Sequence, residues 1–250
     1  MNNQSKLKVE KMSHKIFVCG DTHGLPYDTE KLNSRNFLEQ KNLTKDDVVI
    51  QLGDFGWVWH PIGTNKEQEY WLDWLAGKKY TLAVVLGNHE NYTIIETLPT
   101  TMKWNNEVKV LERKNGSIYF LKRGAIYSIN NKEILTIGGA ISTDKSQRAI
   151  DISWWAQEEL SSTEREACLN EISLSNKVFD YVLTHTCPSR LVENFSKDPL
   201  RVQDSVAQFL DHVDEQIEFK QWHFGHFHKD KSIHNEKYRC HYNNAPFELI

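Results

Sequence analysis

Cysteine is scarce. Four in 250 residues stand far apart, at Cys19, Cys168, Cys187 and Cys240, with no Cys-x-x-Cys pair. That spacing argues against a disulfide framework and points to a reducing cytoplasm. Basic residues are not in excess either: 30 Lys and Arg against 34 Asp and Glu leave a net charge of −4. The chain therefore lacks the footprint of tight, non-specific nucleic-acid binding, though a nucleotide or strand end held through metals stays compatible. No apolar run approaches the length of a membrane span. The opening MNNQSKLKVEKMSHK has no apolar centre, so residues 1–14 are expected to be a flexible tail rather than a signal peptide. Internal repeats, low-complexity tracts and linkers are missing too. With 39% hydrophobic and 26% charged residues, the composition is that of a soluble globular protein, and residues 15–250 are expected to form a single domain.

What is present is a repeated local pattern. Lys15–Cys19, Val48–Leu52 and Thr81–Leu86 are short apolar runs that read as buried strands. Each stops at a glycine followed by a metal-capable side chain: Gly20-Asp21-Thr22-His23, Gly53-Asp54 and Gly87-Asn88-His89-Glu90. Helix-length spacing separates them, with a weak helix expected over Thr29–Lys41 and an amphipathic one over Glu67–Leu75. This is a βαβαβ layout with a parallel sheet. The middle differs. Val108–Leu111, Ile118–Leu121, Ala125–Ile129 and Ile134–Ile137 are closely spaced strands, pointing to a meander or second sheet. A helix is expected over Thr163–Ile172, a strand over Val178–Leu183 ending in Thr184-His185, and a striped helix over Val202–Ile217. Trp222–His228, WHFGHFH, ends the next strand, and Lys231–Ile250 closes as a hairpin or meander.

The polar residues at strand ends are Asp21, His23, Asp54, Asn88, His89, His185, His226 and His228. Parallel strands bring their carboxyl ends to one edge, so these side chains are expected to converge. A donor set of carboxylate, imidazole and one amide oxygen suits divalent Mn, Fe or Zn, with Mn favoured. Any one of these short motifs is common; five together at strand ends point to a metal centre.

In this order GDTHG, GDFG, GNHE, TH and GHFH resemble the five-block pattern of the calcineurin-like metallophosphoesterases, over Gly20 to His228. The resemblance implies a two-sheet β-sandwich flanked by helices (an α+β or α/β fold), with two divalent transition-metal ions at one edge. It implies that Asp21, His23, Asp54 and His228 hold the first ion. Asp54, Asn88, His185 and His226 would hold the second, with Asp54 bridging and His89 a catalytic residue outside the ligand set. The expected reaction is hydrolysis of a phosphoester by a metal-activated hydroxide. Glu90 either orients a histidine from behind or is a surface carboxylate.

The departures from the family matter. Phosphoprotein phosphatases of this superfamily carry arginine after the second block and before the third. Here GDFGWVW and Leu86 stand in those places. A monoester dianion normally wants such a bidentate partner and a diester needs it less, so a phosphodiesterase is favoured, acting on a nucleotide or nucleic-acid end. A phosphomonoesterase, including a Ser/Thr phosphoprotein phosphatase, and a non-catalytic metal-binding scaffold are the alternatives. Lys145 or Arg148 could replace the missing arginines, or be solvated loop charge. Trp57 and Trp59 could stack a nucleobase, or pack against the helix carrying Trp71 and Trp74.

Overall fold

The structure is a computed structural model that describes residues 14–250. All but the last residue of the expected tail, 1–14, thus lies outside the described residues. Thirteen strands follow one another as β1 (Ile16–Cys19), β2 (Val48–Leu52), β3 (Thr81–Val85), β4 (Thr100–Lys103), β5 (Asn106–Arg113), β6 (Gly116–Leu121), β7 (Ala125–Ile129), β8 (Lys132–Ile137), β9 (Val178–Thr184), β10 (Glu218–Phe224), β11 (Lys231–Ile233), β12 (Tyr238–Cys240) and β13 (Phe247–Leu249). Five α-helices are interspersed: α1 (Pro26–Thr29), α2 (Lys66–Ala76), α3 (Tyr92–Thr97), α4 (Ser162–Leu174) and α5 (Ser205–Asp214).

The strands form two mixed sheets, in the orders β13-β1-β2-β3-β6-β5-β4 and β11-β12-β10-β9-β8-β7. In the first, β1, β2, β3 and β6 run parallel. In the second, β8, β9, β10 and β12 do. The two sheets face each other. Alternate residues of β1–β3, such as Val18, Ile50 and Ala83, share one buried cluster with Tyr127, Ile134 and Leu183 of the other sheet. The remaining alternates face outward under helices. Phe17, Val49 and Leu82 pack with Leu72 and Leu75 of α2 and Ile95 of α3, while Val182, Trp222 and Phe224 pack with Ile172 of α4 and Leu210 of α5. Both faces of the central strands are thereby covered, which is why they read as unbroken apolar runs rather than alternating ones.

Register sets the position of the site. Cys19 pairs with Gln51, and Leu52 with Val85, so the turns after β1, β2 and β3 leave the sheet side by side. Across the sandwich Leu183 pairs with His223 and Thr184 with Ile137, which brings the ends of β8, β9 and β10 to a common level.

The helices start on local signals. The Asn65 side chain accepts from Gln68 N at 3.0 Å to cap α2, and Ser161 with Glu164 forms a capping box for α4. The helix expected over Thr29–Lys41 is not continuous. It breaks into α1 and short 3₁₀ turns at Glu30–Leu32 and Leu38–Asn42. The cause is Asn33, whose side-chain oxygen takes the amides of Arg35 and Asn36 at 2.8 and 2.9 Å and offers the backbone a turn in place of a helix. The striped helix expected from Val202 begins only at Ser205, because Asp204 caps it there. The closing segment is more divided than a hairpin. β11 and β12 pair antiparallel, but β13 crosses to the first sheet and pairs with β1. All four cysteines are free and buried, and no helix of the described residues is long and apolar enough to cross a membrane.

Asp204 also ties this framework to the site. Its buried carboxylate accepts from Val206 N at 2.7 Å at the start of α5, and from Ile141 N at 2.9 Å in the loop after β8. Asp204→Ala orphans buried amides at both places and is expected to lower stability by about 2 kcal/mol. Urea denaturation measures this, and an unchanged midpoint would refute it.

Candidate metal centre

The loops after β1 and β2 are stitched to each other before any ligand is considered. Thr22 N and His23 N both donate to the Asp54 carbonyl, at 3.0 and 2.7 Å, and Gly24 N donates to Phe55 O at 2.9 Å. Gly53 adopts a positive φ of 92°, and a Cβ there would collide with the His185 ring. A Cβ on Gly87 would strike the Asp54 carboxylate. These glycines follow strands because the space beyond them belongs to ligand side chains. His23, Asp54, His226 and His228 themselves have positive φ, the kind of backbone strain that surrounding structure maintains at functional sites.

Two groups of donor atoms result. In one, the ligand atoms of Asp21, His23 and His228 lie within 4.8 Å of one another; in the other, those of Asp54, His185 and His226 do. The Asn88 amide oxygen lies 3.0 Å from His185 Nε2 and joins the second group. Asp54 stands between the two. Its Oδ2 is 3.5 Å from His23 Nε2, and its Oδ1 is 3.2 Å from His185 Nε2. Asp21 and Asp54 are both buried. All seven residues expected from the sequence to bind metal are thus brought together.

The hydrogen bonds behind the rings decide which atoms face inward. His23 Nδ1 contacts Asp28 Oδ2 at 3.0 Å, and His185 Nδ1 contacts the Leu52 carbonyl at 2.8 Å. Both partners can only accept, so each Nδ1 carries a proton and each Nε2 points its lone pair inward when the ring is neutral. Asn88 donates its amide to Ser142 Oγ at 3.0 Å, which leaves its oxygen facing the centre. Buried His226 Nε2 has no hydrogen-bond partner among the described residues. Lone pairs that converge on one another in a buried space call for a cation. The residues present fit a pair of divalent ions.

Without metal, protons take that place. Burial disfavours the imidazolium of His23, but hydrogen bonding to Asp54 and the charges of Asp54 and Asp21 outweigh it and hold its pKa up at about 9. His185 is likewise buried yet held up at about 9, chiefly by Asp54. Burial alone would raise the Asp54 carboxyl, but His185 and His89 pull it well below the usual range. His226 is kept neutral by burial and by Arg201.

His89 lies beside both groups without joining either. Its backbone amide donates to Asp54 Oδ1 at 2.7 Å. Arg148 Nη1 approaches its Nδ1 at 2.8 Å, and Nη2 lies 3.5 Å from its Nε2. A guanidinium only donates, so the shorter contact assigns the Nδ1 lone pair to Arg148 and the ring proton to Nε2. Burial lowers the pKa of His89, and Arg148 adds to this against the opposing charge of Asp54. Arg148 is itself held by Asp144 at 2.9 Å and by the Ser153 carbonyl at 3.2 Å.

The other expected substrate contacts fall differently. Lys145 is exposed and pairs with Glu159 at 3.1 Å. Trp57 is buried, with its ring stacked on Trp71 at 5.1 Å and its Nε1 donating to Thr29 Oγ1. One face of Trp57 is thus taken by the core, while the residue also lines the cleft beside His23 and His89. Glu90 orients no histidine. Its carboxylate accepts from the amides of Phe55 (2.8 Å), Gly56 (3.2 Å) and Gly87 (3.3 Å), clamping the turns after β2 and β3 together. Burial and nearby Asp54 nonetheless raise its pKa to about 7.

Three residues were not legible as site residues. Asp28 holds His23 from behind. Tyr242 stacks flat on His228, with ring centroids 4.5 Å apart. Lys31 is buried and donates to the Asp21 carbonyl at 2.6 Å and to the carbonyl of Tyr242. Only the acidic spacing His23-x₄-Asp28 left a signal; the other two are set by chain crossing.

A family model described as calcineurin-like phosphoesterase matches residues 14–230. No curated protein matches the chain. Among solved structures, phosphopantetheinyl hydrolase (PptH) from Mycobacterium tuberculosis aligns at 13% identity and a TM-score of 0.44, covering 91% of this chain and 88% of that one. GAP50, the anchor in the inner membrane complex of Plasmodium, aligns at 12% identity and a TM-score of 0.49, covering 94% and 78%. At such scores neither likeness bears on activity.

Two outcomes are expected of this geometry. Since the pKa of both His23 and His185 stands at about 9 without metal, each carries a proton at pH 7 that an ion must displace. Calorimetric titration of metal-free protein in buffers of different ionisation enthalpy should therefore register proton release; a buffer-independent heat would contradict it. Asp28→Ala should weaken metal affinity by about 10- to 100-fold, the usual cost of losing the partner of a ligating histidine. Equilibrium metal titration reads this directly, and wild-type affinity would dismiss the role of Asp28.

Proposed function

The chain belongs to the calcineurin-like phosphoesterases, and from that membership we propose a two-metal phosphodiesterase that acts on a nucleotide or nucleic-acid end. Metal-dependent phosphoester hydrolysis is the chemistry of the family. The observation that carries the two-ion reading is Asp54, whose two carboxylate oxygens turn to different donor groups.

In this reading Asp21, His23, Asp54 and His228 would hold the first ion, and Asp54, Asn88, His185 and His226 would hold the second. Bound there, two divalent ions supply acidification of the attacking water and positive charge for the phosphoryl oxygens. Manganese is favoured by the mixture of imidazole, carboxylate and amide donors, with iron or zinc as alternatives. The protein supplies the rest. His89, with its Nδ1 occupied by Arg148, turns its Nε2–H to the departing alcohol oxygen and stabilises the charge that develops there. The bond from phosphorus to the water oxygen forms, the bond to the alcohol oxygen breaks, and the proton that the water gives up reaches the alcohol oxygen through solvent. Arg148 adds a fixed positive charge beside the transferring group.

The diester preference rests on the scarcity of guanidinium groups. Leu86 precedes the Gly87-Asn88-His89 turn, and Phe55–Trp59 carry no cation. Arg148 is a single guanidinium already held by Asp144, where a dianionic monoester is better matched by a pair. The same Arg148 beside His89 is the observation that favours the second reading, a phosphomonoesterase.

With manganese restored to metal-free protein, aryl methyl phosphodiesters are expected to turn over faster than aryl monoesters. A strong monoester preference would overturn the diester reading, and no turnover of either would overturn the enzyme. For His89→Ala we expect metal stoichiometry retained and kcat reduced by about 10²- to 10⁴-fold. Undiminished kcat would remove His89 from the reaction.

A further inference from the structure

A cleft of about 390 Å³ opens directly off the metal centre, within the size range of small-molecule sites. His23 and His89 form its inner end, and the Gly56–His60 loop and the first turn of α2 form its walls. Because His89 closes one end, a group in the cleft lies on the side of the phosphorus that faces the Nε2–H of that histidine. This is the place of the departing alcohol.

The walls have a distinct chemistry. Among the described residues no lysine or arginine lines the cleft, and Glu67 is its one carboxylate. Asn65 and Gln68 are committed to the protein's own backbone. The Asn65 oxygen accepts from Gln68 N, and Gln68 accepts from the amides of Trp59 and His60 at 2.9 and 2.7 Å. By contrast, the Glu67 carboxylate and the His60 ring have no hydrogen-bond or ion-pair partner among the described residues, and both are exposed. Half-buried Trp59 adds aromatic surface beside them. A wall with one free carboxylate and no fixed cation attracts ammonium and hydroxyl groups and repels a second phosphate.

We propose that this cleft is the leaving-group subsite and selects uncharged or cationic alcohols, such as nucleosides or amino alcohols, against phosphorylated or carboxylated ones. This assignment rests on the phosphodiesterase reading above. It restricts that reading to substrates whose leaving side ends in an unphosphorylated alcohol, and it makes pyrophosphates and polyphosphorylated nucleotides poor substrates. Glu67 is a specificity residue here and takes no part in the bond changes.

The test uses manganese-loaded full-length protein and three methyl aryl phosphodiesters. Their departing phenols carry aminomethyl, hydroxymethyl or carboxymethyl groups. The methylene insulates the phenol, so leaving-group acidity stays similar while charge changes. Chromatography of the released phenol gives kcat/KM. The aminomethyl ester should exceed the carboxymethyl ester by about tenfold, the sum of one exposed attraction and one repulsion, expressed mainly in KM. The gap should shrink in high salt. Glu67→Gln should bring the three esters to within about threefold, and Glu67→Lys should reverse their order. Equal rates on all three with wild-type protein, or an order unaffected by Glu67→Lys, would overturn the subsite while leaving the phosphodiesterase intact. Turnover of none of the three would instead reject the phosphodiesterase, and the subsite with it.

Discussion

Two carboxylates, Asp21 and Asp54, lie buried at the seam between the sheets, and the surrounding structure answers to their charge. Burying an uncompensated carboxylate costs several kcal/mol even after relaxation. Among the described residues no lysine or arginine side chain forms an ion pair with either of them. The chain offers histidines instead, from the ends of β1, β9 and β10, together with amide donors: His226 N to Asp21 and His89 N to Asp54. Such groups can balance the carboxylates with protons or with metal ions.

Holding that arrangement demands rigid turns. The ends of β1, β2 and β3 are in register, so three turns crowd into one small volume. Glycine at positions 53 and 87 leaves room for the His185 ring and the Asp54 carboxylate. Glu90 then draws the second and third turns together through three amides. On the far side of the first donor group, Lys31 links the Asp21 carbonyl to Tyr242, whose ring steadies His228. None of these supporting groups needs to touch a substrate. They fix where the donors point, which decides whether the two oxygens of Asp54 can serve two ions at once.

The region beyond the donors shapes the cleft. After Asp54 the chain turns into Phe55–Trp59, buries Trp57 against Trp71 and leaves Trp59 and His60 on the wall of a cleft. On the opposite side, the loop after β8 brings Arg148 to His89 from 59 residues away in sequence. His89 thus stands between Arg148 and an open cleft, and in the proposed reading that asymmetry gives the site a phosphoryl side and an alcohol side.

The sequence by itself determined a good deal. Unbroken apolar runs ending in glycine and a ligand-type side chain announce buried parallel strands with their chemistry at one edge, because parallel pairing aligns strand ends wherever the partners lie. Asp21, His23, Asp54, Asn88, His185, His226 and His228 could be read off for that reason. What depends on chain crossing could not. The helix read over Thr29–Lys41 failed against a local contact at Asn33, and β13 returned to the first sheet without any pattern to say so. Only the tertiary structure decided that Glu90 clamps amides rather than a histidine, that Asp28, Lys31 and Tyr242 support the first donor group, and that Arg148 meets His89 while Lys145 pairs with Glu159. Local periodicity encodes burial and direction. Which distant side chains meet is settled by the packing of two sheets, and a linear pattern carries no record of that distance.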